Sequence, residues 1–460
     1  MKRRTSAAVL LVALAAAAVL GYRYRGFVRM QLLRFLHSFD DVPADSLQGP
    51  ELPPGRWWPA RDGGIATDST SQQDLINSLG YLSGYEEAPL RSSVTVYDRE
   101  RAHGGYTVLI SGHAPGVSMI DMEGNVVHEW YSDEVTVYGL WPDAQDRELD
   151  FDLWRRAYLC PNGDLLAVIY GGGIVKLDRD SNLLWVSDFL GAHHDLDVGD
   201  DGRIYAIGLD VNLNPRYNPD AWIAEDYLFV LDSLGNTLRK VSMLDLIADS
   251  PWAPTLMSSV DGTGRPLNMA GDILHCNTVQ YIGGDMLPEG YDGPLRPGSV
   301  LLSMRATDLV CAVDLTDMSV YWAECGLWHM QHEPSLLPDG TMLVFDNRGM
   351  GGESRVLQFD PETRDILWTY QGDEEHPFYS QGIGSCQRLP GGNTLITESM
   401  FGRAFEVTPE GEIVWEYYSP FRAGERNELI ATLHDAFRVD SSYVGGWLDT
   451  GPSPGGAAGQ

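Results

Sequence analysis

The chain has 460 residues, 43% of them hydrophobic, with 50 glycines, 26 prolines, 13 tryptophans and a formal net charge of −33. So acidic a body repels nucleic acid and anionic lipid over its general surface, and any anionic ligand needs a locally positive pocket. The composition favours many short strands joined by tight turns over helices.

Residues 1–30 differ from everything after them. Lys2, Arg3 and Arg4 precede an apolar run from Ala7 to about Leu20, the pattern of a signal anchor. No small-x-small cleavage site precedes Arg23, so the anchor is expected to stay, holding the body outside the cytoplasm, in the periplasm, on the inner membrane. Residues 31–104 read as a spacer and small N-terminal lobe, with one helix expected near Ser71–Leu79.

From residue 105 to 445 one pattern recurs. An apolar strand ends in Asp or Thr, a polar turn follows, and a second strand carries an aromatic residue, usually Trp. The copies are Val117–Asp121 with Trp130, Ile174–Asp178 with Trp185, and Leu228–Asp232 with Gly235–Leu238. Three more are Val310–Asp314 with Trp322, Val356–Asp360 with Trp368, and Ala404–Thr408 with Trp415. Most copies are preceded by a strand, a Gly turn and another strand, as at Tyr158–Gly163–Ala167, Leu337–Gly340–Val344 and Leu389–Gly392–Ile396. Two hairpins per repeat make a four-stranded blade, and six repeats predict an all-β, six-bladed β-propeller. The first blade lacks an inner strand of its own, and His434–Val439 is expected to supply it and close the ring. Residues 446–460 read as a disordered tail.

The first strand of each blade lines the axial channel of a propeller. Alignment on the Gly turns brings Arg155, His194, His275, His332, Gly384 and His434 into register, and His193 adjoins His194. A lone histidine is usually structural. Four at one repeat position, from a chain with 11 histidines, point to a shared site. Converging imidazoles suit a metal centre, with Asp195 as a further ligand. They equally suit group transfer, with one neutral imidazole as nucleophile and cationic neighbours holding an anionic group. Arg305, at the end of the strand after His275, disfavours a metal cation and suits a tetrahedral oxyanion, which tilts the reading to sulfuryl or phosphoryl transfer. Arg305 is expected to hold the His332 imidazole neutral, and Glu333 to point away from it. Five cysteines leave at least one unpaired, and Cys311 with Cys325, flanking one hairpin, is the possible disulfide.

Over roughly residues 100–440 the chain resembles the bacterial arylsulfotransferases, which use no nucleotide sulfate donor. The resemblance rests on Gly124–Trp130, His193-His-Asp195, His275-Cys-Asn-Thr-Val279, Ser303-Met-Arg305, Gln331–Gly340 and Phe345-Asp-Asn347. It implies a six-bladed propeller that moves a sulfuryl group from an aryl sulfate donor to a phenolic acceptor through a sulfohistidine, with no cofactor or metal. By motif, His332 is the nucleophile and His194, His275 and Arg305 bind sulfate oxygens; by register and adjacency, His193, His434 and Arg155 are expected to extend the substrate-binding wall. A metal-dependent propeller hydrolase or lyase, and a non-catalytic membrane-anchored binding propeller, are the rival readings.

Overall fold

The computed structural model describes residues 55–59, 91–141, 153–218, 222–258, 271–349, 353–424 and 427–448. Among them the strands form six antiparallel sheets of four or five strands and one small three-stranded sheet. The innermost strands of the six are Trp154–Leu159, Ala192–Val198, Cys276–Ile282, His332–Leu336, Ser385–Arg388 and Leu433–Val439. Each touches the next in that order, and the last touches the first. The molecule is therefore all-β with a propeller-like ring.

The ring closes through non-local pairing. Leu433–Val439 lies antiparallel to Tyr106–Ser111, with Ala436 opposite Leu109 and Val439 opposite Tyr106. Residues ahead of 105 do more than space the body. Ser93–Tyr97 adds a fifth strand beside Ile413–Tyr418, and Trp57–Pro59 pairs with Leu429–Ala431. The reading of 31–104 as a spacer and small N-terminal lobe specified neither pairing. The helix expected at Ser71–Leu79 and the anchor expected in 1–30 lie outside the described residues. No described helix is long and apolar enough to cross a membrane.

Local chemistry explains why the repeat folds this way. Asp121, Asp178 and Asp232 each end a strand and each accept, through Oδ1, the backbone N–H of the Asn four residues on, at 2.8, 2.9 and 2.9 Å. The same three asparagines donate Nδ2 to the aspartate Oδ2 at 2.9 Å. This is side-chain turn capping, and it sets the hairpin register. The second strands of the sheets, such as Leu165–Ile169 and Met342–Asp346, are buried along their whole length because neighbouring sheets cover both faces.

The recurrent tryptophan joins one sheet to the next. Nε1 of Trp130 donates to the Gly163 carbonyl at 3.0 Å, Trp322 to Pro361 at 3.1 Å and Trp368 to Pro409 at 2.8 Å. Trp415 donates to Met122 at 3.0 Å, which ties the last repeat to the first. The fully buried rings of Trp130 and Trp415 each bury apolar area worth roughly 4–6 kcal/mol as an upper estimate.

Two expectations need correction. The body continues past residue 445: Trp447 is buried, its ring meets that of Trp130 edge-on at 5.8 Å, and it packs on Gly163. The cysteines are all free. Cys311 pairs across the hairpin with Ala323, two residues short of Cys325. Cys325 is therefore a diagonal neighbour, and diagonal pairs stand about 7–8 Å apart, beyond disulfide reach.

Candidate active site

The inner strands do not run straight. Their pairing slips between Trp154 and Arg156, Ala192 and Leu196, Cys276 and Thr278, His332 and Ser335, and Leu433 and Asp435. A bulge re-aims side chains at the rim of a sheet. Here it recurs in five of the six inner strands, at or beside the register position of the histidines. Three residues at these slips have left-handed backbones: His194 (φ 58°), His275 (φ 51°) and Glu333 (φ 49°). Such conformations cost a non-glycine residue about 1–2 kcal/mol and persist where the surrounding fold enforces them. In the sixth strand the position is Gly384, where a Cβ would lie 2.4 Å from the Phe345 ring.

The bulges bring three sheets' histidines to one buried locus. The His194 and His275 rings stand 5.1 Å apart, and His193 Nδ1 lies 2.6 Å from His194 Nδ1. His193, His194, His275 and His332 are all at least nine-tenths buried. Carboxylates stand behind the cluster: Asp226 at 3.1 Å from His193 Nε2, and Asp272 at 2.5 Å from His275 Nδ1. The Arg305 backbone N–H donates to the His275 carbonyl at 3.1 Å, and its side chain is buried.

His332 is held from behind by an amide. Its Nδ1 lies 2.7 Å from Asn347 Oδ1. Asn347 Nδ2 donates to the carbonyls of Ser380 at 2.7 Å and Ile383 at 3.1 Å, which orients the amide. An amide oxygen only accepts, so Nδ1 carries a hydrogen, and in the neutral ring Nε2 holds the lone pair.

Burial, then Arg155, then the imidazoles of His193, His275 and His332, hold His194 well below the ordinary histidine value. His194 is therefore neutral near pH 7 and senses a cation and three more imidazoles around it. His434 is also held low, by burial and then by Arg56 and Arg155. It sits to one side: its Nδ1 donates to the Trp154 carbonyl at 3.1 Å, and Arg155 Nη1 donates to the His434 carbonyl at 3.4 Å. Arg155 thus links His434 to the main cluster.

A second layer lies directly along the strands. The residues after Arg155, His194, His332 and His434 converge on one another: Arg156 Nε meets Asp195 at 2.8 Å, its Nη1 meets Asp435 at 2.7 Å, and its Nη2 meets Glu333. Glu333 therefore meets Arg156 in this second layer and lines the cavity beyond it, its left-handed backbone turning it toward the axis. Burial raises Glu333 to about 8 and Asp195 to about 6. Burial opposes the Arg156 charge too, but Asp195, Asp435 and Glu333 outweigh it and hold the guanidinium well above its ordinary value. A cavity of about 430 Å³ runs from this ionic layer along the later residues of the inner strands, away from the histidines at their starts.

The predicted residues thus divide. His193, His194 and His275 meet ring to ring, Arg155 and His332 are near enough to act on His194, and His434 stands beyond Arg155. Sequence reasoning missed Asp226, Asp272 and the role of Asn347. Asp272 precedes His275 by three residues and was readable as a partner; Asn347 stood in the Phe345-Asp-Asn347 string with no role given to it, and Asp226 arrives from another strand and leaves no local signal. Among the described residues no group of three or more His, Cys, Asp or Glu side chains has the arrangement of a metal site.

A protein-family comparison matches residues 162–420, more than half the chain, to the arylsulfotransferase (ASST) model. The chain belongs to the arylsulfotransferase family. The matched span includes His194, His275, Arg305, His332 and Asn347, while the closing strand with His434 falls after it. A search of curated proteins finds no match. Solved structures with similar folds include a protein of unknown function from Bacteroides caccae, at 12% identity and a TM-score of 0.45, covering 69% of this chain and 96% of that one. The Dos1 propeller aligns at 11% identity and a TM-score of 0.39, covering 72% and 76%. BamB from Moraxella catarrhalis aligns at 11% and 0.33, covering 82% and 95%.

Proposed function

We propose that this arylsulfotransferase-family chain transfers a sulfuryl group from an aryl sulfate to a phenolic acceptor by a ping-pong route, without a nucleotide sulfate donor. The observation that carries the reading is the gathering of His194, His275 and His332, from three successive sheets, at one buried locus flanked by arginine. His332 Nε2 attacks sulfur. The N–S bond forms as the S–O(aryl) bond breaks, and the phenolate leaves with the electron pair. The acceptor's phenolic oxygen then attacks the sulfohistidine, loses its proton and frees the imidazole. Arg305 and Arg155 offset the negative charge on the sulfuryl oxygens in flight, and His275, backed by Asp272, donates to one of them. His194, held neutral by burial and Arg155, resists a proton itself and is suited to hydrogen-bond a sulfuryl oxygen, while the acceptor's proton passes to solvent.

In the same reading the six sheets are the blades of a six-bladed propeller. Residues 1–30 anchor the body at the outer side of the inner membrane, consistent with three basic residues ahead of an apolar run. The test is purified protein with a chromogenic aryl sulfate, with and without phenol. Phenol-stimulated chromophore release with formation of phenyl sulfate is expected. Release of neither product from folded protein would return the chain to a binding role.

A further inference from the structure

We propose that Asn347 is a positioning residue that fixes the tautomer of His332, so that Nε2 is the nitrogen that becomes sulfated; this rests on the nucleophile assigned above. Asn347 is fully buried. It lies two residues beyond Phe345, which pairs with His332 in the neighbouring strand of the same sheet. Its Oδ1 faces His332 Nδ1 at 2.7 Å, and its Nδ2 donates to the Ser380 and Ile383 carbonyls. Turning the amide over would set Nδ2 against Nδ1 and Oδ1 against two carbonyl oxygens. The orientation is therefore enforced from the protein side. Ser354 Oγ reinforces it by donating to the Asn347 carbonyl at 2.8 Å.

The consequence is chemical. A free neutral imidazole exchanges between two tautomers, and only one offers its lone pair at Nε2. A neutral amide selects that tautomer without adding charge. A carboxylate in the same place would select it too, but would also stabilise the imidazolium, which has no lone pair at Nε2. When Nε2 forms its bond to sulfur, the ring takes up positive charge. Nδ1–H then donates more strongly to Asn347 Oδ1, so the contact tightens as the reaction proceeds. Asn347 touches neither donor nor acceptor in this scheme.

The experiment uses the full chain, ¹⁵N-histidine labelled, with an aryl sulfate donor in single turnover. In wild type the His332 signal, identified by its loss in His332→Ala, is expected to report hydrogen on Nδ1 and none on Nε2. Asn347→Ala is expected to populate the other tautomer. It should slow phenolate release at least about tenfold, with little change in donor KM, yet by less than the roughly 10⁴-fold seen where a neighbour enforces the wrong tautomer. Asn347→Asp is expected to keep hydrogen on Nδ1 and move the acidic limb of the rate profile to higher pH. A wild-type tautomer and rate in Asn347→Ala, or an unshifted profile in Asn347→Asp, would overturn the inference. Phenolate release at wild-type rate from His332→Ala would instead overturn the nucleophile itself.

Discussion

Removal of His332 and removal of its neighbours are expected to separate by magnitude. A nucleophile carries the bond that forms, whereas a single oxyanion donor typically accounts for about 10²–10³ in rate. His332→Ala should therefore leave no donor cleavage and no acceptor sulfation, while His275→Ala or Arg305→Ala should retain activity lowered by about that factor. Steady-state rates on a chromogenic aryl sulfate decide this, and equal losses in all three would remove the distinction. His194 makes a separate prediction through its titration. The unfolded chain takes up a proton there near pH 6.5, while the folded chain resists it because burial and Arg155 hold the imidazole low. Stability is thus lost as pH falls below that value, by about 1.4 kcal/mol per pH unit at most. Thermal unfolding from pH 7.5 to 5.5 should show a steeper decline in wild type than in His194→Gln. A parallel decline would mean that His194 is protonated in the folded state.

At the scale of the strand, the outer hairpins were legible because their chemistry is local: Asp121 to Asn125, Asp178 to Asn182 and Asp232 to Asn236 each cap a turn within five residues. The bulges were not legible. They arise where several inner strands crowd one axis, and no residue between His332 and Ser335 announces that Glu333 will adopt a left-handed backbone. That is why the ionic layer around Arg156, with Glu333 in it, went unseen. The layer itself is testable. Arg156→Met removes the cation that pairs with Asp195, Glu333 and Asp435. Breaking a buried pair on one side typically costs about 3–5 kcal/mol. The loss should be smaller at pH 5 than at pH 8, because protons can then replace the lost cation on the carboxylates. Denaturant unfolding at the two pH values measures it, and a loss that grows on acidification would contradict the ion-pair explanation.

The whole molecule depends on joining its two ends. Leu433–Val439 completes the first sheet, and Trp415 reaches across to Met122 at the same seam. Trp415→Ala should destabilise by about 3–5 kcal/mol, whereas Trp415→Phe, which keeps most of the ring and loses the hydrogen bond, should cost about 1–2 kcal/mol. Chemical denaturation compares them, and similar small costs for both would mean that the seam does not hold the ring. The closing strand could be anticipated by counting repeats. The Ser93–Tyr97 edge strand and the Trp57–Pro59 pairing could not, because their partners lie more than 300 residues away and neither segment matches the repeat. The site shares this dependence on closure: His332 comes from the fifth sheet, while Arg155 and His434 come from strands brought beside each other across the join. The central claim, that the histidine cluster serves covalent sulfuryl transfer through His332, is tested most directly by peptide mass spectrometry after incubation with aryl sulfate donor alone and rapid digestion at alkaline pH. The expected result is one added sulfuryl mass on the peptide containing His332. The same mass on a peptide containing His194, His275 or His434, or no added mass while the protein turns over the donor, would contradict it.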